Sequence, residues 1–270
     1  MDSDMGDGKI RHIPLYSLAF AAALLLPVVP WAPAVANDGV PVDTPAKNDD
    51  QASAEDAWQK LQNERLRLGD ELLKQGQPEA AIRDAFDPII QESEAKYRSD
   101  DTIYFCVRTQ SETLLYLLGV AASHDKGESG KNGVALAPSW AYAYYGKAYA
   151  LIELNRFEEA GQSLDHALKL SPNNPQFLTE RGFVYRASRE WDKMLESHRA
   201  ALANIEVATP DNLQKTERAR ALRGEGYALI ELGQLDEAER SFKKSLKIEP
   251  RNKIALDELD YIKRLRQQKQ

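Results

Sequence analysis

The chain has 270 residues, 43% of them apolar, with a formal charge of −7 and a single cysteine. A mildly acidic surface of mixed sign argues against a nucleic-acid partner, which calls for a basic face. One cysteine rules out an internal disulfide, and Cys106, between Phe105 and Val107, reads as a buried thiol acting as a small hydrophobe.

Met1–Ala36 reads as a secretory signal. Lys9, Arg11 and His12 precede an apolar run from Leu15 to Leu26, and Ala34-Val35-Ala36 supplies a small-x-small site, so cleavage is expected after Ala36. The apolar core is short for a bilayer of about 30 Å, and no cysteine follows it to carry a lipid anchor. An uncleaved anchor is the alternative, because Val28, Val29 and Trp31 lengthen the apolar stretch. The signal holds three Asp against one Lys and one Arg, leaving a charge of −6 on the remainder. Residues 37–56, rich in Asp, Asn, Pro and Ala, bury too little surface to offset ordering entropy and are predicted to be a disordered tether.

Residues 57–140 form a less regular region. From Ala57 to Tyr97, Trp58, Leu61, Leu66, Leu68, Leu72 and Leu73 share one amphipathic stripe, predicting a helix pair whose second helix is bent or broken near Asp87 by Pro88. Thr102–Arg108 favours β structure but is too short to classify. Thr109-Gln110-Ser111-Glu112 is a capping box, predicting a helix to about Ala122. Leu114, Leu115, Leu117, Leu118 and Val120 make it almost wholly apolar, so it is expected to be a core helix. Asp125–Asn132, DKGESGKN, has the Gly-Lys ending of a phosphate-binding loop. Asp125 stands where that loop needs glycine, Asn132 where it needs Ser or Thr, and a helix precedes it instead of a strand, so it reads as a solvated linker.

In residues 141–174 small residues at Ala148, Ala160 and Ala167 alternate with Tyr144, Leu151, Leu154, Phe157, Leu164 and Leu168, and Pro172 closes the run. That spacing predicts two amphipathic helices joined by a turn near Asn155. Residues 175–208 repeat the pattern more weakly, and residues 219–252 repeat it closely: YALIELNRFEEA returns as YALIELGQLDEA. The extra residues between these copies begin Thr209-Pro210-Asp211, a helix start, and predict a first helix of about 23 residues reaching Leu232. Residues 253–270, with Ile254, Leu256, Leu259, Ile262 and Leu265 among charges, predict a capping helix.

A period of 34 residues with these small and apolar slots and a closing proline resembles the tetratricopeptide repeat (TPR) family. The resemblance implies an all-α, right-handed helical-repeat solenoid of TPR-type helix pairs that binds a protein or peptide partner. On it, residues 57–97 read as a degenerate copy, with Gly69, Leu72, Gly76 and Ala81 in matching slots. The first helix of each TPR lines the inner groove, which assigns a peptide-binding role to Tyr142, Tyr145, Tyr149, Phe183 and Tyr227 and to the inward slots of Arg186, Arg220 and Arg223. The rings would floor the groove and the arginines would pair an acidic or terminal carboxylate. Packing against the neighbouring helix is the other reading of the same rings.

No catalytic constellation emerges. His12, His124, His166 and His198 show no metal spacing, no nucleophile elbow occurs, and Glu158-Glu159 and Asp236-Glu237 read as first-turn acids favoured by the helix dipole. His198 occupies a repeat core slot. The expectation is a non-enzymatic interaction module without cofactor, metal or nucleic acid. It would have no membrane span once the signal is removed, and it would be exported to the periplasm of a Gram-negative source. An enzyme or small-ligand binder with its site in residues 102–138 is the alternative.

Overall fold

The computed structural model describes residues 49–127 and 130–268, so the signal and the first part of the tether lie outside it. Helix α1 (Asp49–Lys74) begins inside the stretch expected to be disordered. Its opening residues include Ala, Gln and Glu, which lose little in a helix. Glu55 then fixes the helix against its partner, 2.8 Å from Lys96 Nζ and accepting from the Tyr97 hydroxyl.

The partner is α2 (Pro78–Ala80), a π-helical turn (Ala81–Phe86) and α3 (Asp87–Lys96), one continuous helical run. The distortion expected near Asp87 is therefore a change of pitch and not a break. Pro88 lacks an amide, and its ring crowds the carbonyl four residues back in an α-helix; a wider turn ahead of it removes the conflict.

Strand β1 (Thr102–Cys106) pairs in parallel with β2 (Asn132–Leu136), Thr102 opposite Asn132 and Cys106 opposite Leu136. Helix α4 (Gln110–Asp125) makes the crossover. The run left unclassified in sequence is thus a strand whose partner lies across a helix, and this ribbon is the one departure from helix among the described elements. The α4 cap forms as expected: Thr109 Oγ1 accepts from the Glu112 amide at 3.0 Å. Glu112 reaches one residue further out than the box requires, accepting from the Arg108 amide at 2.7 Å. Its core role is corrected. Leu114 and Leu118 are 59% exposed and Leu115 42%, and what α4 buries is Glu112 and Tyr116. An apolar sequence does not say which face another element will cover.

The remaining helices pair in order: α5 (Ser139–Glu153) with α6 (Phe157–Leu170), α7 (Pro175–Ala187) with α8 (Trp191–Ala208), and α9 (Asp211–Glu231) with α10 (Leu235–Ile248). Helix α11 (Lys253–Gln267) closes the stack, capped by Asn252, whose side chain accepts from the Ala255 amide at 3.1 Å. It buries Ala255 and Ile262, while Leu256 faces solvent. The insertion before the last pair lengthens α9 to 21 residues. Pro210, not Thr209, is its cap residue.

Each helix pair turns on one left-handed residue: Gly76 (φ 69), Asn155 (φ 59), Arg189 (φ 58) and Gly233 (φ 75). The residue after each closes the helix with an amide donated five residues back, as Gln77 to Leu72 and Gln234 to Leu229. The degenerate first pair therefore turns as the others do. An arginine in this conformation is strained by about 1 kcal/mol, which glycine relieves at some entropic cost. Arg189→Gly is expected to raise stability by about 0.5 kcal/mol, read as a higher urea midpoint at unchanged slope.

A large side chain on each second helix wedges between small residues of its own first helix and the next. Phe86 sits between Gly69 and Gly146, where added methyl groups would meet its ring, and His198 sits in the same way between Gly182 and Gly224. Leu164 faces Ala148 in one buried cluster, and a Cβ on Gly226 would stand 2.7 Å from Phe242. Leu164, His198 and Phe242 each follow their turn residue by nine positions; Phe86 follows by ten, because the π turn absorbs one extra residue.

Candidate functional site

The eight residues expected to line the groove divide into two halves. Toward the N-terminal ends of α5, α7 and α9, the side chains are consumed by one another. Tyr142 donates to Gln176 Oε1 at 2.9 Å, and the Tyr142 and Tyr145 rings both pack on buried Phe177, at 5.2 and 5.3 Å. Burial, then neighbouring Glu180, raises the Tyr145 phenol. Arg220 pairs with Glu180 at 2.5 Å, their side chains 11% and 3% exposed. Arg223 pairs with Glu249 at 2.5 Å. The expectation that these two arginines wait for a partner's carboxylate is therefore corrected, since carboxylates of the chain itself already hold them.

Arg108 completes this closed half. It projects from the corner between β1 and α4, donating to Glu217 at 2.7 and 3.2 Å, to Thr209 at 3.2 Å and to the Tyr142 hydroxyl at 3.4 Å. Thr209 donates its own hydroxyl to Glu217 at 2.8 Å, and Thr109 donates to the Val207 carbonyl at 2.5 Å. Glu112 lies beneath, receiving Tyr116 at 2.9 Å and Ser171 at 3.0 Å. Burial raises its carboxyl, and the Arg108 amide and guanidinium oppose that. The irregular region thus braces the first pair of this stack to the last.

Toward the C-terminal ends of the first helices the groove is more open. Tyr149, Phe183 and Tyr227 are each partly exposed and each lie six residues before their turn residue. Arg186 lies over Tyr227, 4.4 Å from the ring centroid, and 5.8 Å from that of Phe183. Trp191 adds a ring 6.3 Å from Tyr227. Sequence reasoning missed the acids here. Asp70 occupies the slot of Tyr149 and Tyr227 in the first pair, and Glu153 and Glu231 each lie two residues before their turn. Glu258 comes from α11. Aligning the four turns would have found the first three.

Among the described residues of 102–138, the two groups that the enzyme alternative would draw on, Cys106 and His124, are not brought together. Cys106 is fully buried and burial pushes its thiol up to about 12, whereas His124 is exposed at the far end of α4 beside the Lys131 carbonyl. Among the described residues no group of three or more His, Cys, Asp or Glu could hold a metal ion, and no helix is long and apolar enough to cross a membrane.

This architecture is that of an all-α helical-repeat protein built from stacked antiparallel helix pairs. Residues 141–174 and 219–252 each match the sequence model of the tetratricopeptide repeat, so the chain carries TPR repeats. Among solved structures it is similar to MamA 41-end from Desulfovibrio magneticus RS-1, at 18% identity and TM-score 0.46 over 76% of this chain and 85% of that one. It is also similar to the first TPR of Spaghetti (RPAP3) bound to HSP90 peptide SRMEEVD, at 22% identity and TM-score 0.41 over 46% and 91%. The second TPR domain of human RPAP3, in complex with HSP70 peptide SGPTIEEVD, gives 22% and 0.39 over 46% and 94%.

Proposed function

We propose that this protein is a non-enzymatic interaction module that holds a segment of another protein against the open half of its concave face. The observation that carries the reading is the row of Tyr149, Phe183 and Tyr227, one aromatic per TPR-type pair at one slot and each left partly exposed. Aromatic rings give large contact area at small entropic cost, which is why they dominate binding hot spots. Capture of a partner on the immobilised chain, followed by Tyr149→Ala and Tyr227→Ala, is expected to weaken binding about tenfold or more for each while both variants still fold. Binding that survives both substitutions would move the site off this face. Arg223→Ala is not informative for the groove, because it strips Glu249 of its partner.

Export to a Gram-negative periplasm, with an envelope protein as the partner, completes the proposal and rests on the Met1–Ala36 pattern. Intact mass of the exported form is expected to begin at Asn37. A mass retaining Met1 or Met5 would overturn cleavage and favour a retained anchor.

A further inference from the structure

The open half of the groove has an acidic rim. Asp70, Glu153, Glu231 and Glu258 are each partly buried, and none of them is in a salt bridge among the described residues, in contrast to Glu180, Glu217 and Glu249 in or beside the closed half. Burial is the first cause of an upward shift in all four carboxyls, and Asp70 and Glu258 reach about 6. Cations stand near some of them: Lys74 beside Asp70, Arg186 beside Glu231 and Glu258, Arg189 beside Glu231 and Arg264 beside Glu258. Two further acids, Glu71 and Asp257, offset part of that charge. At Glu153 burial alone accounts for the upward shift. Glu153 acts on Tyr149, and Glu231 and Glu258 act on Tyr227, so carboxylates and rings share the same places.

Resting on the groove reading above, we propose that the occupant is a cationic segment of a partner protein, with Lys or Arg side chains spaced among apolar ones. One cationic head sits between Glu153 and the Tyr149 ring, and a second joins Glu231 and Glu258 at the edge of Tyr227. Ring faces attract ammonium and guanidinium groups, and Arg186 already uses the Tyr227 ring in this way. A half-buried carboxylate without an ion-pair partner gains most when a partner delivers a cation, and an acidic segment brought to the same rim is repelled. The inference departs from the sequence expectation of a carboxylate-bearing partner, because two of the three arginines that supported it, Arg220 and Arg223, are already paired and the third, Arg186, lies over the Tyr227 ring.

The test is fluorescence anisotropy on the full chain with two labelled peptides of about twelve residues and identical leucine spacing, one carrying lysines and the other glutamates at the intervening positions. The lysine peptide is expected to bind at least about tenfold more tightly. The combined Glu153→Gln, Glu231→Gln and Glu258→Gln variant, with an unchanged melting temperature, is expected to lose at least about tenfold for it. Three outcomes overturn the inference: preference for the glutamate peptide, lysine-peptide binding that the glutamine variant leaves intact, or no lysine-peptide binding at the highest soluble concentration. If the glutamate peptide binds and Tyr149→Ala with Tyr227→Ala abolishes it, the groove reading stands and only the charge class falls. If the lysine peptide is indifferent to the glutamine and the alanine variants alike, both fall.

Discussion

Arg108→Ala is expected to cost about 3–5 kcal/mol of folding stability, more than any surface charge on this chain. The guanidinium is 4% exposed and its partner Glu217 13%, so truncation leaves a desolvated carboxylate facing Thr209 and Tyr142 without its cation. The ion pair itself is not worth that much. Two charges removed from water regain little over a well-packed apolar pair, which makes the double variant the decisive control. Arg108→Met with Glu217→Leu is expected to recover most of the loss, read as urea midpoints at equal slope. A single-variant cost below about 1 kcal/mol would mean that Glu217 swings into solvent, and would remove the brace between β1–α4 and α9.

His198→Phe is expected to stabilise the protein, and more so in acid. The imidazole is 3% exposed, wedged between Gly182 and Gly224, and neither nitrogen has a hydrogen-bond partner in the described structure. Phe86 and Phe242 fill the corresponding position in other pairs, so the phenyl ring suits the slot. Removing two unsatisfied nitrogens is worth about 1–3 kcal/mol at neutral pH. Burial, and secondarily the Arg220 charge, lowers the histidine from 6.5 to about 3 in the folded state. Below pH 6.5 the unfolded chain therefore binds a proton that the folded chain refuses, and stability falls as pH falls. The loss amounts to about 2.5 kcal/mol between pH 7.5 and 4.5. Asp70 and Glu258, held up at about 6, run the other way: burying their charged forms costs stability as pH rises through that range, so acid relieves them. The difference between His198→Phe and the parent cancels these terms and isolates the imidazole. A difference that does not grow on acidification would show that His198 is solvated in the native state.

The sequence displayed the helix pairs because their periodicity is local. Leu151, Leu164, Leu229 and Phe242 recur at spacings that the structure buries, and Asn155 and Gly233 mark turns by residue type alone. Arg189 turns identically but carries no such mark, and the first pair looked degenerate because Pro88 falls in the slot of a small residue, where the one extra residue of the π turn puts it. Partners distant in sequence were illegible. Nothing near Arg220 or Arg223 announces Glu180, 40 residues back, or Glu249, 26 residues on. The Thr102–Cys106 strand finds its mate only across α4, and the leucines of α4 read as core because composition cannot show what fails to cover them. In the groove, repeat alignment could show both the aromatic slot and the positions of Asp70, Glu153 and Glu231, but not that these acids stay out of the salt bridges that hold Glu180, Glu217 and Glu249.

The hydrogen bonds from Arg108 to Glu217 join residues 109 positions apart. A stack of helix pairs ordinarily assembles neighbour by neighbour, each closure short and each unit able to fray from an end. This clasp draws a loop around two pairs and into the first helix of a third before it can form, and loop closure costs entropy that grows with the logarithm of the enclosed length. Formation of the clasp therefore waits until α5 to α9 are already in place, so it belongs late on the folding path and breaks early on the way out. The Thr102–Asp125 excursion thus works as a latch on a spring. It does little to speed the winding of the solenoid, but once shut it couples the ends of the enclosed stack, so that fraying of one pair is opposed by the pair at the far side.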